Sequence, residues 1–465
     1  MSISHRLRRP TDFAAALKFS RTLSQREYWP REQLRGLQQT LLDALVRHAV
    51  VHSPFYRQRL RRISDASSWE LQELPVLTKR AMMDHFDELV IDRRLRQAEL
   101  LAHRETIDRD DCYLGRYRVM ATSGSSGTKG LFVYDRPAWH VIVAQFMRFM
   151  KIVGIRPRLP RLRVVAIGGA TPIHMTSRVA ETMDIGLHRV LRLPVTTAPS
   201  LLVEQLNDFQ PQVLTAYPSV AAALGDEQIA GRLRLSLEYL ITTAELRTPD
   251  VTAHLRRAFG VAPFDLYGTT EGLWACECER HEGLHLFEDT TLVANVDTEG
   301  SSVEPGQPGA RLLITSLHNF TQPIIRLELG DAVTLHPEPC ACGRTLLRTR
   351  SIEGRSDASL QLVGTNGGNV TVHPFQFSML TREPGVREFQ VIKQSDGLQV
   401  LIVSASGDEG VEHRVLQQIR TRLGELGVGE YPVTIQRRSQ LARNAGGKLQ
   451  LVVDRTADIA ASASP

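Results

Sequence analysis

The sequence predicts an α/β protein, with a large N-terminal domain of mostly parallel sheets flanked by helices, a β-rich subdomain within it, and a small C-terminal α+β domain. Three observations predict it. From about residue 136 to 272, short apolar runs alternate with amphipathic stretches, and strand–loop–helix repetition builds a mostly parallel sheet with helices on its faces. Residues 285–350 break into short alternating runs with turns at Glu304-Pro305-Gly306 and Pro308-Gly309, which reads as all-β. Residues 356–455 carry strand and helix patterns of their own. A chain of 465 residues is too long for one small core. The expected boundaries are 1–355 for the large domain, 356–455 for the small one and 456–465 for an Ala/Ser-rich disordered tail.

Each element has its own reason. Residues 1–60 read as helical, because Leu34, Leu37, Leu41 and Leu45 recur at helical spacing. Ser53-Pro54 ends that helix, and Phe55-Tyr56 opens a short one. Leu77-Thr78-Lys79 leads into another, with Thr78 as N-cap. Residues 138–153 form an apolar helix candidate and 162–169 a buried strand. Residues 201–209 read as helix, 212–217 as strand, and Pro218 starts a helix through 223. Then come a strand at 239–243, a helix at 249–259 and a strand at 264–267 that runs into Gly268-Thr269-Thr270-Glu271-Gly272. Ligands of such sheets bind beyond the carboxyl ends of the strands, so the polar loops after Thr215, Ile241 and Leu266 mark the mouth. In the small domain, strands fall near 389–393 and 398–403, with a helix over 411–426.

Composition excludes several classes. A net charge of +5 is too small at this length to argue for nucleic acid. No apolar run spans a bilayer, and the basic N-terminus lacks a signal-peptide apolar region, so the expected place is the cytoplasm with no membrane partner. The cationic side chains are nearly all arginine, which makes each lysine informative.

The chemistry begins at Ala121-Thr122-Ser123-Gly124-Ser125-Ser126-Gly127-Thr128-Lys129-Gly130. Glycines let backbone approach a ligand closely, and backbone N–H groups with hydroxyls cradle phosphate oxygens. It is not a Walker loop, which needs Gly-Lys-Ser/Thr followed by a helix; here the apolar run Leu131-Phe132-Val133-Tyr134 follows. Alone, the stretch reads equally as a hairpin turn. Four of the five cysteines fall in two Cys-x-Cys pairs, Cys276/Cys278 and Cys340/Cys342, near His281 and His285. In a reducing compartment, clustered Cys and His favour zinc over disulfides.

Four stretches occur in the order found in one family: the loop at 122–130, Tyr267-Gly268-Thr269-Thr270-Glu271-Gly272, Gly330-Asp331 and Gly446-Gly447-Lys448. With His52-Ser53-Pro54-Phe55-Tyr56, Leu77-Thr78-Lys79, Thr243-Ala244-Glu245, Gly283-Leu284-His285, Ile325-Arg326, Cys340-Ala341-Cys342-Gly343-Arg344 and Gly354-Arg355-Ser356-Asp357, the chain resembles adenylate-forming ligases. Within them it resembles the phenylacetate–coenzyme A ligase branch and its capsular-polysaccharide relatives, over about 25–455. The resemblance implies ATP-dependent activation of a carboxylic acid, aromatic by family default, as an acyl adenylate, then transfer to coenzyme A. An amine acceptor is the alternative, and a non-catalytic nucleotide-binding scaffold a second one.

Residue roles follow from the resemblance. Thr122, Ser123, Gly124, Ser125, Ser126, Gly127 and Thr128 would hold the triphosphate, and Thr243, Ala244 and Glu245 the adenine. Tyr267 would pack on adenine or acyl group, beside Gly268 and Thr269. Thr270 would bond a phosphate oxygen and Glu271 would hold Mg²⁺, a hard ion that takes oxygen ligands. Asp331 would accept from the ribose hydroxyls, Arg355 would contact ribose or phosphate, and Arg326 would shape the nucleotide site. Lys448 would be the catalytic cation of the first step, on a small domain that is mobile in the family and turns about a hinge near Ser356-Asp357. Trp139, Phe146 and Tyr217 are candidates to line the acid pocket with Tyr267. Relatives with the Cys-x-Cys-Gly-Arg element bind a structural Zn²⁺, for which the set is Cys278, His285, Cys340 and Cys342, with Cys276 and His281 as substitutes. Many members are dimers, so a homodimer is an expectation. The family loop usually ends in Gly-x-Pro-Lys or Gly-Lys-Pro. The shift to Gly127-Thr128-Lys129-Gly130 leaves Lys129 without an assigned role.

Overall fold

The computed structural model describes residues 3–63, 66–107, 111–122, 130–169, 174–355, 360–372, 376–377, 379–380, 383–404, 410–428, 430–443 and 449–456. The expected hinge at Ser356-Asp357 and nearly all of the expected tail fall outside them. In chain order, α1 (Ile3–Arg26), α2 (Arg31–His52), α3 (Pro54–Arg59), α4 (Lys79–Asp84), α5 (Phe86–Leu89) and α6 (Gln97–Thr106) precede a hairpin of β1 (Arg118–Ala121) and β2 (Leu131–Tyr134). There follow α7 (Arg136–Val153), β3 (Arg163–Gly168), α8 (Met175–Met183), β4 (Arg189–Pro194), α9 (Pro199–Phe209), β5 (Val213–Ala216) and α10 (Pro218–Ile229). Then come β6 (Tyr239–Thr243), α11 (Pro249–Phe259), β7 (Pro263–Gly268), β8 (Trp274–Glu277) and β9 (Leu284–Leu286).

These last strands form one seven-stranded sheet in the order β4-β3-β5-β6-β7-β8-β9. The first five run parallel; β8 and β9 are antiparallel. Successive residues face opposite sides of a strand, and the two faces meet different cores. Val213 and Ile241 enter one cluster, packed with α7 and the β-rich segment, whereas Leu214 and Leu240 enter the other, beneath α9, α10 and α11. The chain continues with β10 (Thr291–Val296), β11 (Arg311–Ser316), β12 (Leu327–Leu329), β13 (Asp331–Leu335) and β14 (Thr349–Arg355). β10, β11 and β12 make a three-stranded antiparallel sheet, and β13 pairs with β14. The β-rich expectation therefore holds in kind.

The remainder forms a hydrophobic cluster of its own, from Leu360 to Val452. It holds β15 (Leu360–Val363), β16 (Asn369–Val372), β17 (Val386–Gln394), β18 (Gly397–Ser404), α12 (Val411–Glu425), β19 (Val433–Arg437) and β20 (Val452–Asp454). A mixed sheet of order β19-β18-β17-β20 is packed by α12.

Local signals behave as their chemistry requires. The Ser53 and Thr78 hydroxyls cap α3 and α4, accepting from Tyr56 N–H and Ala81 N–H. Details differ from the expectation. The buried stripe of α2 is Leu34, Gln38, Leu42, Leu45, Val46 and Ala49, because Gln38 donates to the Glu288 carbonyl while Leu37 and Leu41 sit at its margin. The helix after Pro218 runs on to Ile229. α7 is buried on nearly all sides and carries a fully buried Arg148, which the Asp289 carboxylate holds at 3.0 and 2.6 Å. A bidentate partner makes such a charge tolerable in a core. Among the described residues, no helix is long and apolar enough to cross a membrane.

Candidate active site and metal centre

The Gly/Ser stretch closes the β1–β2 hairpin, where Ala121 pairs with Leu131. Thr122 N–H donates to Gly130 O at 3.0 Å, and Gly130 N–H returns to Thr122 Oγ1 at 2.9 Å. Thr122 is thus a clasp at the loop's base; residues 123–129 lie outside the description. Glycine is required at 130, since a Cβ there would stand 2.7 Å from the Phe132 ring and 3.3 Å from Lys79 Cδ.

Thr269-Thr270-Glu271-Gly272 is a tight turn between antiparallel β7 and β8, with Gly268 opposite Trp274. No helix follows, so Glu271 is not a helix-terminal carboxylate. It is buried, and Lys79 Nζ lies 3.2 Å from its Oε1. Tyr134 Oη donates to Thr270 O at 2.7 Å, tying this turn to the hairpin. Lys79 belongs to the Leu77-Thr78-Lys79 motif, which by itself assigns it no role. Its position as the first residue of α4, behind the Thr78 cap, aims it past Gly130 at Glu271, and the scarcity of lysine was the signal that could have found it.

The other nucleotide candidates gather at the carboxyl ends of β5, β6 and β7. Ala244 is exposed, with φ +69°, just beyond β6. Thr243 Oγ1 donates to Leu266 O at 2.7 Å, which locks β6 to β7. Tyr267 is half-buried beside exposed Gly268. Glu245 turns its carboxylate back to Ser219, whose Oγ and N–H donate at 2.7 and 3.3 Å. Asp331 opens β13 and pairs in register with Arg355 at the end of β14, so those two candidates are neighbours. The side chain of Arg355, like all of Lys448, falls outside the described residues.

Two candidates are held by protein partners. Arg326 donates its guanidinium to the carbonyls of Gln72 and Leu74, fastening the segment before α4, next to the bridge of Leu77 to Leu327. Trp139 is fully buried, with its indole N–H on Thr182 Oγ1 at 3.0 Å and Arg118 stacked on its ring, so it is core. Phe146 packs on Phe149 and Trp274. α7 instead turns Ile142 and Gln145 to the small recess beside Gly272. Tyr217 is buried just beyond β5, and its phenol is pushed up by burial.

The structure brings Cys278, His285, Cys340 and Cys342 together, with ligand atoms all within 4.8 Å of one another. Cys278 follows β8, His285 lies on β9, and the other two sit in the connection from β13 to β14. Cys278 Sγ is 3.8 Å from Cys340 Sγ, and Cys342 Sγ 3.4 Å from His285 Nε2. A tetrahedron with metal–sulfur bonds of about 2.3 Å has edges of about 3.8 Å, so the donor set fits Zn²⁺. Burial, with Arg344 adding, pushes His285 down to about 4, which keeps it neutral as a ligand must be. Burial pushes the Cys278 thiol up to about 12. Cys276 and His281 are not in the cluster: Cys276 is buried in β8, and His281 turns to Glu277. Gly283 explains itself here. Its φ is +107°, and a Cβ would stand 1.8 Å from Thr349 O, so only glycine lets β9 deliver His285.

Comparison with known proteins gives a consistent answer. No protein-family model matches the chain. A phenylacetate–coenzyme A ligase of Thermus thermophilus is 28% identical over 472 residues, covering 92% of this chain and 98% of that protein. The phenylacetate–coenzyme A ligase of Pseudomonas putida is 30% identical, covering 72% of this chain and 73% of that protein. A crystal structure of 2-hydroxyisobutyryl-CoA ligase in the postadenylation state, in complex with 2-HIB-AMP, superposes with a TM-score of 0.68 at 21% identity, covering 94% and 93% of the two chains, and shares the fold. Taken with the site at the sheet's carboxyl edge, these likenesses show that the chain belongs to the phenylacetate–coenzyme A ligase family of adenylate-forming, AMP-forming acid–CoA ligases.

Proposed function

We propose that this chain joins an aromatic carboxylic acid to AMP at the mouth formed by β5, β6 and β7, and then passes the acyl group to coenzyme A. The observation that carries the reading is the buried Glu271 carboxylate, 3.2 Å from Lys79 Nζ and reached past the base of the Gly/Ser hairpin. A buried carboxylate needs a cation, and a polyphosphate needs several, so the two requirements meet at one place. Glu271, with Thr270 beside it, would hold Mg²⁺, which supplies charge neutralisation to the phosphates. Lys79 would turn its ammonium to a phosphate oxygen when the metal takes its place on Glu271. Asp331 would accept from the ribose, Thr243 and Ala244 would border the adenine, and Lys448 would meet the negative charge that develops as carboxylate and α-phosphate join. The aromatic character of the acid is supported by the relatives' names and by half-buried Tyr267 at the mouth. The Cys278, His285, Cys340 and Cys342 cluster would hold Zn²⁺ in a closed structural site.

The test is acid-dependent ATP–pyrophosphate exchange without coenzyme A, screened over aromatic and aliphatic acids, followed by product mass with coenzyme A against amines. Exchange driven by aromatic acids and a coenzyme A thioester are expected; exchange only with small aliphatic acids would overturn the substrate class, and an amide product the acceptor. Glu271→Gln is expected to lower exchange roughly 30-fold and to raise the Mg²⁺ needed for half-maximal rate, as losing one charged metal ligand costs a few kcal/mol. An unchanged Mg²⁺ dependence would remove Glu271 from the metal site.

A further inference from the structure

The turn after β6 has a costly backbone. Ala244 is exposed and takes φ +69°, a left-handed conformation that residues other than glycine adopt only against a steric penalty. Such a conformation persists where its surroundings over-determine it. Three side chains do so here. Just before the turn, Thr243 Oγ1 donates to Leu266 O at 2.7 Å. Just after it, the Glu245 carboxylate accepts from Ser219 Oγ at 2.7 Å. Arg247, two residues on, reaches back to three strands at once. Its Nη1 donates to Thr242 Oγ1 on β6 and to Pro263 O on β7, both at 3.0 Å, and its Nη2 donates to Glu277 Oε1 on β8 at 2.6 Å.

The partners of Arg247 are themselves fixed. The Arg247 and Glu277 side chains are only 7% and 8% exposed. The second Glu277 oxygen accepts from Asp265 N–H at 2.9 Å, with His281 Nδ1 at 3.3 Å. Thr242 is fully buried and passes its own hydroxyl proton to Asp265 Oδ1 at 2.9 Å. The carboxylate and the hydroxyl are therefore oriented by β7 and by the end of β8 before the guanidinium meets them. A planar fork can bond a carboxylate with one arm and a hydroxyl and a carbonyl with the other, which an ammonium on a flexible stem does not reproduce. Neither Arg247 nor Glu277 is among the groups assigned to the phosphates, to Mg²⁺ or to the acid.

We propose that Arg247 is a positioning residue for nucleobase selection: by tying the turn after β6 to Glu277 on β8, it keeps the backbone at Ala244 where it reads the adenine edge. This rests on the adenine placement given under Proposed function. Adenine and hypoxanthine share a ring shape but exchange donor for acceptor along one edge, so a backbone group that bonds the first is left unpaired or opposed by the second. Hydrogen bonds weaken steeply once distance and angle are lost. A slackened turn therefore forfeits the advantage of ATP while ribose and phosphate contacts remain.

The experiment compares ATP with inosine triphosphate in acid-dependent pyrophosphate exchange, using phenylacetate. Wild type is expected to prefer ATP, and ATP is expected to protect the amides of 243–245 from hydrogen exchange. For Arg247→Met the expected result is a KM for ATP raised about 10-fold, the scale of one hydrogen bond lost at the base, and an ATP preference in kcat/KM reduced by the same factor. The kcat at saturating ATP and the KM for phenylacetate should stay near wild type. Arg247→Lys, which keeps the charge but not the fork, should recover part of the preference. Should the single variant fail to fold, Arg247→Met with Glu277→Gln leaves no unmatched buried charge and should show the same split. If ATP protects the turn but wild type uses both nucleotides alike, or the variants keep the wild-type preference, the positioning role is overturned and the adenine placement stands. If kcat, the KM for the acid and the KM for both nucleotides worsen together, the network is merely structural and the proposal is overturned. If ATP leaves the amides of 243–245 unprotected in wild type, the adenine placement itself has failed, and the positioning role with it.

Discussion

Lys448→Ala should reduce acid-dependent pyrophosphate exchange by about 100- to 1,000-fold while ATP still binds, the scale on which one charged transition-state donor contributes. The reasoning is electrostatic. The attacking carboxylate and the α-phosphate are both anions, and repulsion between them is worst where the new bond forms. Binding groups at the triphosphate and ribose act equally before and during reaction, so they lower KM without raising kcat. A cation brought by the other unit can be placed where charge builds up, and Lys448 is one of six lysines in the chain. The measurement has two parts: exchange kinetics, and ATP affinity by calorimetry without acid. A loss of ATP affinity as large as the loss of exchange would make Lys448 a ground-state binding group. Exchange at the wild-type rate would remove it from the chemistry. Lys79 offers the internal contrast. It lies 3.2 Å from buried Glu271, so Lys79→Ala strips a buried carboxylate of its partner and should raise the requirement for Mg²⁺ or ATP before it touches kcat.

How much of this was legible in the sequence depends on the kind of signal. The strands β5 and β7 and the helices α10 and α11 were readable because Pro or Gly bounds each of them, and β6 because Tyr239-Leu240-Ile241 is a compact apolar run. β4 and α8 were not read. Arg189–Pro194 is an edge strand in which exposed Arg189 and Arg192, three apart and so on opposite faces, interrupt the apolar residues, so it carries no long apolar run to notice. Its assignment comes only from its register with β3. The Cys/His cluster was legible through the resemblance and the two Cys-x-Cys pairs, with Cys276 and His281 left open as substitutes until the fold brought the four donors together. The acid pocket was not. Periodicity assigns a face to a helix that is half-exposed, but α7 is buried nearly all round, so nothing in its pattern separates Trp139, which bonds Thr182, from Ile142, which faces the recess. The partners of Arg326 were unreadable for a related reason. A motif arginine next to a nucleotide site reads as a ligand, yet its donors meet the carbonyls of a turn more than 250 residues earlier in the chain, a tertiary fact no local pattern encodes. Lys79 and Arg247 are the reverse case, with local sequence unremarkable and partners decisive.

Removing the tetrahedral cluster should cost stability far more than chemistry. Wild-type protein is expected to hold one zinc per chain by elemental analysis, and Cys278→Ser or Cys340→Ser to hold none. Loss of a structural metal ranks among the largest single-residue effects, about 4 kcal/mol or more, which for a large domain lowers Tm by roughly 10 °C. The neighbourhood explains why the effect should spread. Arg344, two residues past Cys342, donates to Glu27 Oε2 at 2.8 Å, and Thr345 N–H donates to Glu27 O at 2.8 Å. The cysteine loop therefore holds Glu27, the residue that follows α1, while α1 itself is tied through Asp12 to Arg118 and Arg136, and Arg31 on α2 pairs with Glu288 next to β9. When the loop loses its metal, those ion pairs lose the rigid frame that offsets the cost of ordering them, and the N-terminal helices should exchange amide hydrogens sooner than the parallel sheet. None of the groups assigned to the nucleotide or to Mg²⁺ lies in the cluster, so kcat measured well below Tm should stay close to wild type. A zinc-free variant with normal Tm would mean the four side chains are packed thiols and a neutral imidazole, held by burial alone. A zinc-free variant with normal Tm but no exchange would move the metal from the scaffold into the chemistry.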